Sequence, residues 1–489
     1  MQNTGLSLLL SRLDFAWITS MHILWPPLTV GLSILLFISE WRWVRTNDEQ
    51  WYRLTRFFEK LFIINFGGGV ATGITMEMAF GILYGPFAQA TGPFFGQVLA
   101  YETITAFMYE AGFIGLMVFG WGKLGKKMHL FATANVAVAS TLSVWWILVA
   151  NSWMQTPTGV VLKDGFFHVV NWGAAIFNPD VILAVPHMEV AAIELSLCFV
   201  AAISAWQLLK NRHVALFQRG LKWSVLALVV IAPLQVWLGD GLGRVVAQDQ
   251  PAALAALEGH YHTLNPDGSN NTGWHVVAWP NAKGDGTAWA ITIPHVLSLL
   301  ETHSWNGQVE GLDSFAPQAR PPMLVPFYAF RIMAGIGALL MLLAVWGLWL
   351  ALRGKMTVQN IVSHKWFLRA TVLCGFLPYI AVWTGWWTRE VGRQPWLVYG
   401  MMTTAQGTSR MSVGEEIFWM IGYLGFEVLV WACAWYFFAK VVRQGPDMES
   451  PVVHGREPEH DHAEPRAGYT YGPARHAEPR AAFAYTKVK

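Results

Sequence analysis

The stretch from Trp386 to Trp396 reads Trp-Trp-Thr-Arg-Glu-Val-Gly-Arg-Gln-Pro-Trp and closes a long apolar run, Phe367 to Trp387. Tryptophan at a membrane boundary is ordinary, because indole prefers the interface. Glu390, set between Arg389 and Arg393 at that depth, is less so. Its plain reading is a snorkelling interfacial ion pair. Three more residues with coordinating side chains lie in apolar runs: His22, His187 just after Pro186, and Met333 in Phe330-Arg331-Ile332-Met333. A lone intramembrane histidine is often a hydrogen-bonded structural residue, and a lone methionine is usually packing. Ionisable groups inside a membrane are nevertheless costly, and each is a functional candidate by default. These four residues fall near the same end of their spans. A layer of heme irons would need axial ligands from several helices at one such depth. Glu102 and Glu110 share another span. On an ideal helix they stand about 80° apart around the axis and about 12 Å along it. Buried carboxyls of this kind are either hydrogen-bonded structural groups or proton carriers.

The chain that must position these groups has 489 residues, 54% of them hydrophobic and 13% charged, with 27 tryptophans. That composition points to an all-α integral membrane helical bundle rather than a soluble globule. The formal net charge of +2 gives no reason to expect a nucleic-acid partner. Cys198, Cys374 and Cys433 are isolated in apolar runs, so neither an iron–sulfur nor a zinc site is expected, and no disulfide is implied. The N-terminus lacks the basic region and small-residue site of a cleaved signal peptide.

About nine transmembrane helices can be read, at roughly 15–39, 61–84, 96–121, 130–150, 181–209, 223–239, 324–350, 367–388 and 414–439. Basic residues collect in alternate loops: Arg42, Arg45, Arg53, Arg56 and Lys60; then Lys123, Lys126 and Lys127; then Lys210, Arg212, Arg219 and Lys222; then Arg353, Lys355 and Lys365. The positive-inside rule puts those loops in the cytoplasm, the N-terminus outside (periplasmic) and the C-terminus cytoplasmic. Arg389, Arg393 and Arg410 break the rule, and holding heme propionates would give them a job on that side. The chain divides into helices 1–6 (1–239), a large outer loop (240–322), helices 7–9 (323–442) and a polar tail (443–489). The tail repeats His-Ala-Glu-Pro-Arg-Ala at 462–467 and 476–481 and is expected to be disordered, with weak metal binding the lesser alternative.

Gly392-Arg393-Gln394-Pro395-Trp396 resembles the signature of subunit I of cytochrome bd-type quinol oxidases. So do Arg12-Leu13 with the run to His22, and Glu59-Lys60-Leu61-Phe62 with Asn65-Phe66. Gly69-Val70-Ala71-Thr72-Gly73, Thr75-Met76-Glu77, Leu142-Ser143, Trp146 to Asn151, Trp153-Met154-Gln155 and Phe330 to Met333 match as well. The resemblance runs from about residue 10 to 440. It implies that His187 and Met333 are the axial ligands of a low-spin heme b. It implies that His22 and Glu390 each hold one of two further hemes, a high-spin heme b and a heme d, or a further heme b in its place. It places Glu102, Glu110 and Ser143 on a proton route and Arg331, Arg393 and Trp386 beside the hemes. Leu254-Ala255-Ala256-Leu257-Glu258 resembles the family's quinol-binding loop in its short form, with Glu258 as proton acceptor. Two departures appear: Ala111 where relatives can carry serine, and Ala253 where they often carry lysine.

The expected function is therefore that of a respiratory terminal oxidase subunit in a bacterial inner (plasma) membrane, surrounded by lipid. It would take electrons from ubiquinol or menaquinol and reduce O2 to water, without pumping protons. A subunit II and a small single-span subunit are the partners the resemblance implies. No separate intramembrane carboxylate relay to the outer face is read from the sequence. Other classes lack their marks. A heme–copper oxidase needs adjacent histidine pairs for copper, and no His-His occurs. A cytochrome b of a quinol reductase needs two His pairs on two spans, and a secondary transporter with polar midplane residues would show no heme.

Overall fold

A computed structural model describes residues 5–281 and 285–453. Among the described residues, nine helical stretches are long and apolar enough to cross a membrane: Gly5–Thr46, Glu49–Leu83, Gly85–Phe119, Lys126–Gln155, Trp172–Leu209, Val214–Asp249, Pro317–Leu352, Lys365–Gly392 and Val413–Gln444. The first is two helices, α1 (Gly5–His22) and α2 (Trp25–Thr46), joined at Ile23-Leu24, where Pro26 and Pro27 start the second. Next come α3 (Glu49–Leu83), α4 (Gly85–Glu102), a π-helical turn (Thr103–Met108), α5 (Tyr109–Phe119) and α6 (Lys126–Gln155). A hairpin of β1 (Val160–Lys163) and β2 (Phe166–Val169) and the short α7 (Trp172–Ile176) lead to α8 (Val181–Leu209) and α9 (Val214–Asp249).

The large loop holds α10 (Pro251–Glu258), an antiparallel hairpin of β3 (Trp274–Pro280) and β4 (Thr287–Ile293), and α11 (Val296–Thr302). The chain then returns through α12 (Leu324–Leu352), α13 (Lys365–Cys374) and α14 (Leu377–Gly392). A small hairpin, β5 (Trp396–Val398) and β6 (Met402–Thr403), and α15 (Thr404–Gly407) precede α16 (Val413–Gln444).

The helices outrun the apolar windows that announce them, because their ends are capped and charged. Asp48 accepts from the backbone N–H of Gln50 and starts α3, so the basic residues 53–60 are helical. Ser412 and Glu415 form a reciprocal capping box at α16. The expected loop around 85–95 is helix, since Pro86 occupies the first turn of α4 directly after Tyr84. The expected loop boundary at 240 moves to 250, because α9 continues in the aqueous region with an Asp240–Arg244 ion pair one turn apart.

Helices cross closely where glycine allows it. A Cβ on Gly31 of α2 would lie 2.0 Å from the Ala192 carbonyl oxygen of α8. One apolar cluster, with Trp43, Phe57, Phe62, Phe217 and Phe367, fills the half of the bundle that carries the basic loops. A second, with Phe87, Phe94, Leu148 and Trp153, fills the half below the large loop. The first residues after α16 dock on the protein: the Asp447 carbonyl accepts from Arg53 Nη1 at 2.8 Å, and Val453 lies against Gly122. The disorder expected of 443–489 therefore does not extend to 445–453, and the two repeats lie outside the described residues.

Candidate functional site

The Trp386–Trp396 segment ends α14 in a knot of buried charges. Arg389 reaches Asp180, at the start of α8, through both guanidinium nitrogens. It also donates to Asn151 Oδ1 at 2.7 Å and Ser152 Oγ at 3.2 Å on α6. Asn151 in turn donates to Glu390 Oε1 at 2.8 Å, and Arg393 pairs with Glu390 Oε2. Arg393 is 3% exposed and keeps Nη1 without a partner, whereas the Glu390 side chain is 34% exposed. Glu390 is thus gripped from two sides and open on another.

The same helix fixes α1. The indole N–H groups of Trp383 and Trp387 both bond Ser20, one to its carbonyl and one to its hydroxyl. Ser20 is two residues from His22, and Trp387 three from Glu390, so these two candidate ligands are held at one depth. Trp386 is half-buried where the two apolar clusters meet. His22 Nδ1 bonds Thr72 Oγ1 of α3 at 2.9 Å.

The residues present fit hemes. A Cβ on Gly239 would lie 3.3 Å from His187 Cε1, one on Gly385 2.8 Å from Met333 Sδ, and one on Gly73 3.3 Å from His22 Cε1. His22, His187 and Met333 therefore each lie against a glycine of a neighbouring helix, where any larger side chain would crowd the imidazole or the thioether. His187 keeps Nδ1 buried and unpartnered, while Nε2 lies 3.4 Å from the Gln235 amide nitrogen. Imidazole and thioether suit iron at a six-coordinate electron-transfer site.

The two carboxyls of the third span do not sit on one regular helix. A π turn separates them, as is frequent at functional sites, so the ideal 80° offset does not apply. Ser143 donates to Glu102 at 2.9 Å, and Ser140, which sequence reasoning missed, donates to Glu110. Trp146 bonds Thr105 in the π turn at 2.8 Å and pins it to α6. Ser143, Ser140, Thr133 and His129 follow one face of α6, over about 21 Å. At the far end of that face, Glu40, fully buried on α2, bonds His129 Nδ1 at 2.7 Å and accepts from Thr133 at 2.6 Å. Glu40 and His129 were legible only as a carboxylate in an apolar run and a histidine at a helix start.

The large loop is a second polar site. Glu258 ends α10 and is 4% exposed, not a solvated loop carboxylate. Arg331 pairs with it at 3.0 Å, and also donates to the carbonyls of Leu257 and His275. The Arg331 guanidinium lies 3.5 Å over the Phe327 ring. Arg331 is expected beside a heme; its guanidinium bonds the loop and, at 3.3 Å, the Phe327 carbonyl of its own helix. Burial pushes the Glu258 carboxyl above its usual range, and Arg331 opposes that push. Glu301, missed by sequence reasoning, is pushed up to about 7 by burial and by the charges of Glu258 and Asp240. Burial and the Arg331 charge hold the His275 imidazole below its ordinary value. Ala253 is buried, with its Cβ 3.9 Å from where a Cβ on Gly392 would stand. Small side chains let α10 lie on the end of α14, and a lysine there would have to find another path out.

The family described as cytochrome bd terminal oxidase subunit I matches residues 10–446. The chain is 33% identical to cytochrome bd ubiquinol oxidase subunit 1 of Bacillus subtilis (strain 168), over 91% of this chain and 95% of that protein. It is 34% identical to cytochrome bd-II ubiquinol oxidase subunit 1 of Escherichia coli (strain K12), over 89% of this chain and 96% of that one. Its fold is similar to the solved bd oxidase of Geobacillus thermodenitrificans, with a TM-score of 0.79 at 28% identity, covering 88% of this chain and 98% of the other.

The charge knot makes a stability prediction. Asp180→Asn leaves Arg389 buried beside a neutral amide, and removing one partner of a buried pair costs about 3–5 kcal/mol. Thermal unfolding of the purified variant should show a clearly lowered midpoint. A midpoint within a degree of the parent would mean that Arg389 is not held by this pair.

Proposed function

The chain belongs to the cytochrome bd terminal oxidase subunit I family, a family of terminal quinol oxidases, and from that premise we propose that it oxidises quinol at the large loop and delivers the electrons to a diheme site that reduces dioxygen to water. As a subunit I it implies a subunit II in a bacterial membrane, which the chain crosses several times. We further propose that the large loop lies outside, the C-terminus in the cytoplasm, and that a small single-span subunit completes the assembly. The observation that carries the reading is the set of glycines facing His22, His187 and Met333, beside a carboxylate, Glu390, that stays partly open.

Heme, when bound, supplies one-electron transfer and, where a coordination position is open, the binding and reduction of dioxygen. His187 and Met333 would hold a low-spin heme b from two sides. His22 and Glu390 would each hold one of a high-spin heme b and a heme d, or a further heme b in its place. Arg393 and Asn151 orient the Glu390 carboxylate, and Thr72 orients the His22 ring. In the loop, Glu258 accepts a proton from ubiquinol or menaquinol while Arg331 fixes its carboxylate. Glu301, which titrates near neutrality, is placed to take a second. Glu102 and Glu110 hold protons arriving along the polar face of α6, from the Glu40–His129 end. Protons then travel along the bundle while electrons cross it at one depth. Each proton crosses most of the hydrocarbon, worth about 2.3 kcal/mol per 100 mV.

A reduced-minus-oxidised visible spectrum tests the heme assignment. Met333→Leu keeps the packing volume and should lose the low-spin bands and quinol oxidation while keeping the other two hemes. Unchanged low-spin bands would sink the Met333 assignment. Glu390→Gln should remove or grossly perturb one high-spin heme and leave the low-spin heme in place.

Glu258→Ala should slow quinol oxidation with all heme bands intact; normal turnover would reject the loop as the site. The Glu301 carboxylate, the form that accepts a proton, is populated above about pH 7 and lost below it. The rate should therefore fall on the acid side of neutrality, and Glu301→Gln should abolish that limb of the profile. An identical profile in the variant would remove Glu301 from the proposal.

In reconstituted vesicles, charge translocated should match electrons consumed. A clear excess would demand a pump, and a count near zero would reject the α6 route.

A further inference from the structure

The first helix buries four residues, and three of them are polar: Ser7, Ser11 and Asp14, with Ile18. They fall on one stripe of α1, at spacings of four, three and four residues. The helix they face, α16, buries Glu416, Tyr423 and Glu427 on a stripe of its own, spanning about 16 Å. This seam between two membrane helices is thus built of carboxyls and hydroxyls where apolar packing would serve, although polar groups inside a membrane are expensive.

The seam runs the length of the contact between the two helices. At its mouth, Ser7 donates to the Met411 carbonyl at 2.9 Å, just before the capped start of α16. Ser11 donates to Glu416, which is fully buried. Asp14 follows, 1% exposed, with both carboxyl oxygens lacking a hydrogen-bond partner. Tyr423, 5% exposed, has an unpartnered hydroxyl, and Glu427, fully buried, has an unpartnered Oε2. Asp14 is close enough to Glu416, Tyr423 and Glu427 for charge to be felt between them, although none of the three is its hydrogen-bond partner. Glu427 Oε1 accepts from Thr75 of α3 at 3.2 Å. Thr75 is 2.6 Å from the Thr72 carbonyl, and the Thr72 hydroxyl is the partner of His22 Nδ1. The inner end of the seam therefore stops one helical turn, about 4.5 Å along α3, from the residue that orients His22.

The charged and titratable groups around the seam are few. From α16 come Glu415, Glu416, Tyr423 and Glu427; from α1, Asp14 and Arg12; from the end of α3, Tyr84; from the end of α14, Arg393. Arg12 and Arg393 sit at the mouth, near Tyr84. Among the described residues, no lysine, arginine or histidine pairs with Asp14, Glu416 or Glu427. Three facing carboxyls without a cation cannot all ionise, so the seam holds protons and shares them as a coupled group.

We propose that Glu416, Asp14 and Glu427 take up a proton from water at the loop end of the bundle when the iron held by His22 is reduced, and return it by the same seam on reoxidation. The inference rests on the assignment of His22 as a heme ligand. One electron, supplied by quinol, converts ferric to ferrous iron. One proton from outer water joins a seam carboxylate and balances the charge. Reoxidation reverses both, so this proton adds nothing to net transport. The seam is separate from the α6 face that serves Glu102 and Glu110.

The test is the pH dependence of the midpoint potential of the His22-held heme in the complete oxidase, read spectroscopically in parent, Asp14→Asn, Glu427→Gln and Glu427→Asp. In the parent the potential should fall with rising pH, towards about 59 mV for each tenfold change in proton activity. Asp14→Asn and Glu427→Gln should flatten that slope with heme bands unchanged, and Glu427→Asp, which keeps a carboxyl, should restore part of it. A slope equal to the parent's in both neutral variants would overturn the proposal. Should either variant lose its heme, the infrared reduced-minus-oxidised difference of the parent decides. A carboxylic C=O band that grows on reduction and shifts in Glu427→Asp supports the seam; no carboxyl change overturns it. His22→Ala that kept every heme band would instead overturn the ligand assignment, whatever the slope.

Discussion

The buried charges at the end of α14 are the constraint on which the rest of the site depends. Two guanidinium groups and two carboxylates, Arg389, Arg393, Asp180 and Glu390, are collected around Asn151 with their charges balanced. Removing such groups from water costs several kcal/mol per ion, and only tight mutual pairing offsets it. The pairing has a geometric consequence. Arg389 cannot keep Asp180, Asn151 and Ser152 unless α14, α6 and α8 keep one arrangement. Trp383 and Trp387 of the same helix bind Ser20 and add α1, while Gly385 admits the Met333 sulfur of α12. One helix thereby fixes four others, three of which carry a candidate ligand, and all the ligands stand on helices rather than loops.

Between apolar helices in lipid there is no hydrophobic drive to associate, so packing and polar contacts must hold them together. Here the polar contacts are gathered into seams. The face of α6 from His129 to Ser143 is one, and the stripe shared by α1 and α16 is another. The charge knot at the end of α14 is a third polar contact, and much of the remaining packing is through aromatic and aliphatic clusters. A polar seam joins two helices as effectively as glycine packing does, and it also carries a row of groups that can exchange protons. The membrane therefore allows one set of residues to serve assembly and proton handling together.

The nine spans were legible because twenty apolar residues in a row have few other meanings. Their ends were less so, since Asp48 begins a helix whose first turns hydropathy assigns to a loop. His22, His187 and Glu390 stood out because ionisable side chains in apolar runs are rare. Glu258 did not, because a carboxylate in a loop looks solvated until Arg331, 73 residues later, is seen to close over it. The π turn between Glu102 and Glu110 leaves no mark in the sequence, and it removes the angular relation that an ideal helix would give them. Asp14 stands just before the apolar window of the first span and Glu416 in the first turn of α16, where a carboxylate suggests an interface. Only the packing of the first helix against the last, about 400 residues apart, turns them into a buried pair.

Two proton-holding seams in one small bundle raise a question of leakage. A continuous hydrogen-bonded path from the basic end to the loop end would dissipate any gradient the proposed oxidase builds. Helix α3 touches groups of both seams, and its geometry keeps those contacts apart. Thr75 of α3 faces Glu427, while Glu77 interacts with Glu102. Two residues on a helix differ by about 200° in direction, so these contacts leave from opposite sides of α3. The backbone between them is committed to its own helical hydrogen bonds and offers no titratable step. Met76, Ala79 and Phe80, beside these positions, belong to the apolar cluster of the loop half. On the proposed function, α3 thus orients His22 through Thr72 and also insulates the inner proton route from the outer one.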